Sequence, residues 1–180
     1  MPGVVALLGE PHKSMVEALW EGMHREFGVP IGYPGAVPHI SLHIGEHDVA
    51  AGAEQVVQTV ARASAPLTVY SAGLGVFTGP VPVVHLTVAR SPELAALALR
   101  LDVAMAAAGF PSTDPHFVPG RWMPHITIAH RNLAGIELGP LLGWLVAQSL
   151  AWEIPLHSLS IARETELAAD ILSTFPFAAE

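Results

Sequence analysis

The sequence predicts an α+β domain in which one β-α-β-α-β unit is used twice, which places the two copies about a pseudo-two-fold axis. Three observations predict it. Apolar periodicity alternates between strand-like and helical along the 180 residues. A five-residue motif occurs twice, as Pro38-His39-Ile40-Ser41-Leu42 and as Pro124-His125-Ile126-Thr127-Ile128. The stretch before each copy is also matched: Pro11 to Gly28 and Pro92 to Gly109 are equal in length, with Pro30 and Pro111 each two residues further on. The expected lobes run over approximately 1–80 and 81–180 of a single domain, with strand exchange between them left open.

Taken in order, Val4 to Leu8 reads as a strand, followed by a helix from about Pro11. That helix carries Val16, Leu19, Trp20, Met23 and Phe27 at amphipathic spacing and stops at Gly28. His39 to Gly45 is the next strand. Asp48 then serves as N-cap of a helix bearing Val56, Val57 and Val60, and Leu67 to Phe77 closes the half as a strand. The second half opens with Val83 to Ala89, and Ser91-Pro92-Glu93 caps a helix with Leu94, Leu97, Leu101 and Met105 on one face. His125 to His130 is its second strand, about Gly135 to Leu150 its second helix, and Trp152 to Arg163 its closing strand. A last strand, from about Ile171 to Phe177, pairs back as a hairpin.

Composition narrows the functional classes. The apolar fraction is 51% and the mean hydropathy +0.45, yet no run reaches the roughly 20 apolar residues that a membrane span requires. The richest stretch, Leu138 to Trp152, is interrupted by Pro140, Gln148 and Ser149 and reads as a buried helix. No basic region precedes the short apolar run at the N-terminus, so a cytoplasmic protein is expected. With no cysteine, disulfides, thiolate metal sites and cysteine nucleophiles are excluded. A formal charge of −8 disfavours gripping a long polyanion, so neither DNA nor a membrane is the expected partner; a small phosphorylated ligand or an RNA end fits better.

Both motifs read as strand, where residues i and i+2 share a face roughly 6.6 Å apart. His39 with Ser41, and His125 with Thr127, therefore each offer an imidazole beside a hydroxyl. Imidazole titrates near pH 6.5, so at neutral pH one ring can accept a proton while the other donates one. In-line displacement at phosphorus needs that pair, and the hydroxyls can hydrogen-bond the non-bridging oxygens, where charge rises in the transition state. No metal or other cofactor is required.

The two motifs, 86 residues apart (125 − 39) in a chain of this length, resemble those of the two-histidine phosphoesterase superfamily, and in particular its bacterial 2′-5′ RNA ligase-like branch. Gly73-Leu74-Gly75-Val76-Phe77, the strand from Val83, the helix between Ser91 and Gly109 and the approach from Pro119 to Pro124 follow that pattern too. The resemblance implies a bilobal fold with a central cleft, and hydrolysis of 2′,3′-cyclic phosphate, on RNA ends or nucleotides, to 2′-phosphate without a metal. It also implies His39, Ser41, His125 and Thr127 as the catalytic set. Some relatives cleave other oligonucleotide phosphodiesters or join RNA ends through 2′-5′ linkages, and a module that binds an RNA end or nucleotide without turnover is a further alternative.

One position departs from the pattern. Relatives commonly carry an arginine three residues past the second motif's threonine, where this chain has His130 followed by Arg131. Strand parity puts Arg131 on the face of His125 and Thr127, as a candidate phosphate contact, provided that no bulge intervenes. His85-Leu86-Thr87-Val88 is a third His-x-Thr run, but the duplication aligns it with the strand near Val4 to Ala6; His85 is expected as a strand histidine lining the cleft floor, with catalysis the minority alternative. His39, His43 and His47 recur every fourth residue, a spacing too long on a strand to share one metal ion. His12, His24, His116 and His157 read as surface or supporting residues. Tyr33, Phe117 and Trp122 sit in loops before the motifs, where packing is the more frequent role and stacking on a nucleobase the rarer one. A nucleotidyl-accepting ligase is disfavoured, because the only lysine, Lys13, lacks a Lys-x-Asp-Gly context.

Overall fold

The computed structural model describes residues 2–31, 37–45, 51–130, 133–164 and 169–178. Among these residues, eight strands and four helices follow one another as β1 (Pro2–Leu7), α1 (His12–Phe27), β2 (His39–Ile44), α2 (Ala51–Arg62), β3 (Leu67–Phe77), β4 (Val83–Val88), α3 (Pro92–Ala107), β5 (His125–Ala129), α4 (Leu138–Val146), β6 (Glu153–Leu156), β7 (Ser158–Glu164) and β8 (Ala169–Pro176). A short 3₁₀ turn, Pro115–Phe117, lies between α3 and β5. The fold is α+β. Its strands form one curled antiparallel sheet in the order β6-β3-β4-β5-β2-β1-β7-β8.

Local chemistry accounts for the helix ends that matter. In α1 the chain leaves the helix through Gly28 at φ 67, a left-handed conformation that a residue without Cβ adopts freely, and its N–H donates to the His24 carbonyl. In α3 the Ser91 Oγ accepts the Leu94 N–H at 3.2 Å, and Pro92 occupies the first turn, where its missing N–H costs nothing. The apolar stripes of α1 and α3 bury Val16, Leu19 and Met23, and Leu94, Leu97, Leu101 and Met105. They meet Val4, Ala6, Ile40, Leu42, Val84, Leu86, Ile126 and Ile128 from the sheet in one core. Strand alternation turns the intervening residues, the motif histidines and hydroxyls among them, to the other face.

The duplication is visible in the pairing. Ile40 faces Ile126 across β2 and β5, while Thr68 faces Pro155 and Val69 faces Ile154 across β3 and β6. A shift of 86 positions, the separation of the motifs, carries Ile40 onto its own partner and carries Thr68 and Val69 onto Ile154 and Pro155, which pair with Val69 and Thr68 in turn, so one pseudo-two-fold axis passes through both seams. The third strands have changed sides: β3 runs beside β4, and β7 beside β1.

Two elements differ from expectation. Instead of one closing strand from Trp152 to Arg163, β6 and β7 are divided at His157, because the first part pairs with β3 and the second with β1 as the sheet curls. The α4 helix is also shorter than Gly135 to Leu150. Gly135 stands at φ 78 in the turn ahead, and Val146 is 70% exposed, so this is a one-faced helix seated on Leu141 and Leu145 and not a buried one. The expected cap Asp48 lies outside the described residues. No helix among the described residues is long and apolar enough to cross a membrane.

Candidate active site

The two motifs lie side by side at the centre of the sheet. Extending the antiparallel register by one residue either way from Ile40 and Ile126 sets His39 opposite Thr127 and Ser41 opposite His125. All four are half-buried on the face that the core does not use.

Each histidine is anchored identically. The His39 Nδ1 lies 2.7 Å from the Val37 carbonyl, and the His125 Nδ1 2.7 Å from the Met123 carbonyl. A carbonyl only accepts, so in both rings Nδ1 carries the proton and donates, leaving Nε2 to exchange protons with a ligand. The intervening prolines fix this geometry. Pro38 and Pro124 hold φ at about −65° between the carbonyl and the ring that it anchors, and their own carbonyls accept the Leu8 and Val88 N–H groups, each at 3.0 Å.

Two matched bulges end the motif geometry on both strands. Between β1 and β2 the register passes from Val5 opposite Ser41 to Val4 opposite His43, and between β4 and β5 from His85 opposite Thr127 to Val84 opposite Ala129. Leu42 and Ile128 are the extra residues, and each bulge flips the parity beyond it. His43 accordingly turns into the core, 1% exposed, with Nδ1 4.0 Å from the Asp102 carboxylate on α3. The same flip removes the condition on which parity assigned Arg131 to the site face, since β5 stops at Ala129, which is buried. Arg131 itself, with Tyr33 and His47, lies outside the described residues.

The tryptophans that the sequence left as apolar or loop residues have definite places here. Trp122, 3% exposed, donates its indole N–H to the Ser41 carbonyl at 3.0 Å, and Trp20 donates to the Ile128 carbonyl at 2.9 Å. They satisfy carbonyls at the two ends of the short β2–β5 seam, which holds Ser41 and the second bulge in position. Trp122 is therefore committed to the seam and unavailable for base stacking. His12, read from the sequence as a surface or supporting residue, is buried against Trp152.

The surroundings of the two rings are unequal. Burial pushes His125 down from the ordinary imidazole value; the hydrogen bond to the Met123 carbonyl opposes this, and the charge of nearby His39 adds a smaller downward push. His85, 2% exposed on β4, lies on the same face with its ring centroid 5.1 Å from that of His125. Burial first, and the His125 charge second, lower it to about 4. Phe77 from β3 closes the group, 4.1 Å from His85 and 4.9 Å, edge-on, from His125.

A family model described as the 2′-5′ RNA ligase superfamily matches residues 10–166. Among solved structures, a protein from Thermus thermophilus is similar at 18% identity and a TM-score of 0.65, covering 99% of this chain and 98% of that one. LigT of E. coli, solved with 3′-AMP, is similar at 17% identity and a TM-score of 0.62 over 99% and 98% of the two chains. A structure described as a phosphoesterase reaches 0.63 at 14% identity, with 99% and 98% coverage. At these identities the likeness is one of fold. Among curated proteins, none matches the chain by sequence.

Proposed function

This chain belongs to the 2′-5′ RNA ligase superfamily, and we propose that within it the protein is a phosphodiesterase opening 2′,3′-cyclic phosphates to 2′-phosphates. The observation that carries this reading is the pair of Nδ1-anchored imidazoles, each beside a hydroxyl, on one sheet face about the Ile40–Ile126 pair. Water attacks phosphorus as one Nε2 takes its proton. The P–O3′ bond breaks opposite the entering oxygen, and the second imidazolium delivers a proton to O3′. Ser41 and Thr127 donate hydrogen bonds to the non-bridging oxygens. The lowered affinity of His125 for a proton suits it to the base, and the leaving-group proton then falls to His39.

Solved complexes of E. coli LigT with 3′-AMP, NADP+ and phosphate support a substrate of nucleotide size, a cyclic mononucleotide or an RNA 3′ end. The test is turnover of the four nucleoside 2′,3′-cyclic monophosphates in EDTA, with the product's regiochemistry read by chromatography. Wild type is expected to yield 2′-phosphates, and His39→Ala and His125→Ala each to lose at least about a hundredfold in rate. Binding of these nucleotides without turnover would replace this reading with that of a binding module. Joining of RNA ends without hydrolysis would replace it with that of a ligase.

A further inference from the structure

The pseudo-symmetry that makes two equivalent histidines also allows their neighbours to be compared position by position. His85 pairs with Thr127 on β5 and with Gly75 on β3; the equivalent place beside Ser41 is held by Val5, which pairs with Ser160 on β7. Continuing the registers by two residues matches Phe77 with Ala162. His125 is thus packed by two rings, where the equivalent positions around His39 hold an aliphatic side chain and a methyl group.

The cluster is built to admit the extra ring. A Cβ on Gly75 would lie 2.4 Å from the His85 Cε1 and 2.8 Å from its Nε2, so the imidazole occupies space that any other residue at 75 would fill. The ring is buried, its Nδ1 makes no well-formed hydrogen bond and, among the described residues, meets only the Leu86 backbone, and it makes face contact with Phe77 at an interplanar angle of 33°. A buried, poorly satisfied nitrogen costs stability that a phenylalanine or leucine would not, and what the ring gains here is its place against His125.

We propose that His85 is a positioning residue of this site: with Phe77 it forms a three-ring cluster that sets the plane of the His125 imidazole and shields it from water, so that His125 and His39 are not interchangeable. This rests on the phosphodiesterase reading for its kinetic consequence, though not for its physical one. The Met123 carbonyl fixes His125 at Nδ1, while the edge-on Phe77 and the tilted His85, at 88° and 57°, restrict rotation of the ring. Among the described residues, the titratable groups facing His125 are His39 from β2 and His85 from β4. His85 stays uncharged through the neutral range and contributes shielding in place of a second positive charge.

The experiment is an NMR titration of the His125 ring in wild type, His85→Ala and His85→Phe, with cyclic phosphate kinetics beside it. In His85→Ala water reaches the ring, so the His125 midpoint is expected to rise toward the ordinary value of about 6.5. The value of kcat is expected to fall about tenfold to a hundredfold with KM little changed. His85→Phe keeps the packing and is expected to restore both. An unmoved His125 midpoint in His85→Ala overturns the proposal, and so does a His85→Phe variant as impaired as His85→Ala, which would give the imidazole itself a chemical role. Where His85→Ala fails to fold, Phe77→Leu at a half-buried position opens the same cluster and is read in the same way. If wild type does not hydrolyse cyclic phosphates, the proposed function fails, and the titration alone, which needs no turnover, decides this one.

Discussion

Replacing His85 with phenylalanine should change how the protein's stability responds to acid. In the folded state His85 is lowered to about 4, whereas in the unfolded chain it titrates near 6.5. Between those values the unfolded state binds the proton and the folded state does not, so stability falls as pH falls from about 6.5 to about 4 and is unaffected by this group outside that window. The full difference corresponds to at most about 3 kcal/mol, and relaxation toward the open face trims it to roughly 1–3 kcal/mol. The assay is urea denaturation of wild type and His85→Phe at intervals from about pH 7 to about pH 4.5, with ΔG extrapolated from each curve. The other titrating groups are common to both proteins and largely cancel in the difference. Wild type should lose more stability than the variant across the window, by most of that amount. Parallel curves would refute the reasoning, because they would mean that the buried ring gains its proton as readily as an exposed one.

Three further outcomes are expected. The pH profile of kcat/KM should be bell-shaped, with its acid limb, set by His125, displaced below the usual imidazole range; a profile flat across that range would exclude paired imidazoles. Gly75→Ala drives a methyl group to 2.4 Å from the His85 Cε1 and should cost about 1–3 kcal/mol in thermal unfolding, together with a loss of turnover in the direction of His85→Ala. Ser71→Ala removes a buried hydroxyl that accepts the Trp152 N–H at 2.7 Å and donates to the Leu150 carbonyl, so chemical denaturation should show a loss of about 1–3 kcal/mol while turnover per folded molecule is unchanged.

What the sequence made legible was local or repeated. The caps at Gly28 and Ser91 act through the residues beside them, and the Pro-His-Ile motifs are read directly because strand alternation needs only two residues of order. The strand bulges were not legible. Leu42 and Ile128 are ordinary strand residues, and only the pairing with β1 and β4 shows that each is inserted, which turned His43 inward and undid the parity argument for Arg131. The division of Trp152 to Arg163 was equally hidden, since nothing at His157 breaks a strand; the break comes from the curl of the sheet, which gives its two parts different neighbours. Trp20 and Trp122 looked like apolar bulk because their energetic role lies in an indole N–H aimed at a carbonyl more than 80 residues away.

Duplication explains why two identical imidazoles meet, and by itself it also makes the site unable to tell them apart. In-line displacement at phosphorus is a directional reaction, with one ring bare and the other protonated before the first bond forms. A perfectly symmetric pair would be divided between the productive and the reversed arrangement. Anchoring at Val37 and Met123 cannot break that tie, because it is the same on both sides. The bulges at Leu42 and Ile128 cannot either. The difference enters on the flanking strands, where Gly75, Phe77 and His85 stand in the positions that Ser160, Ala162 and Val5 hold on the other side. The cost of burying a histidine in β4 then has a functional counterpart: it packs one of two otherwise equivalent rings and holds it in a fixed plane.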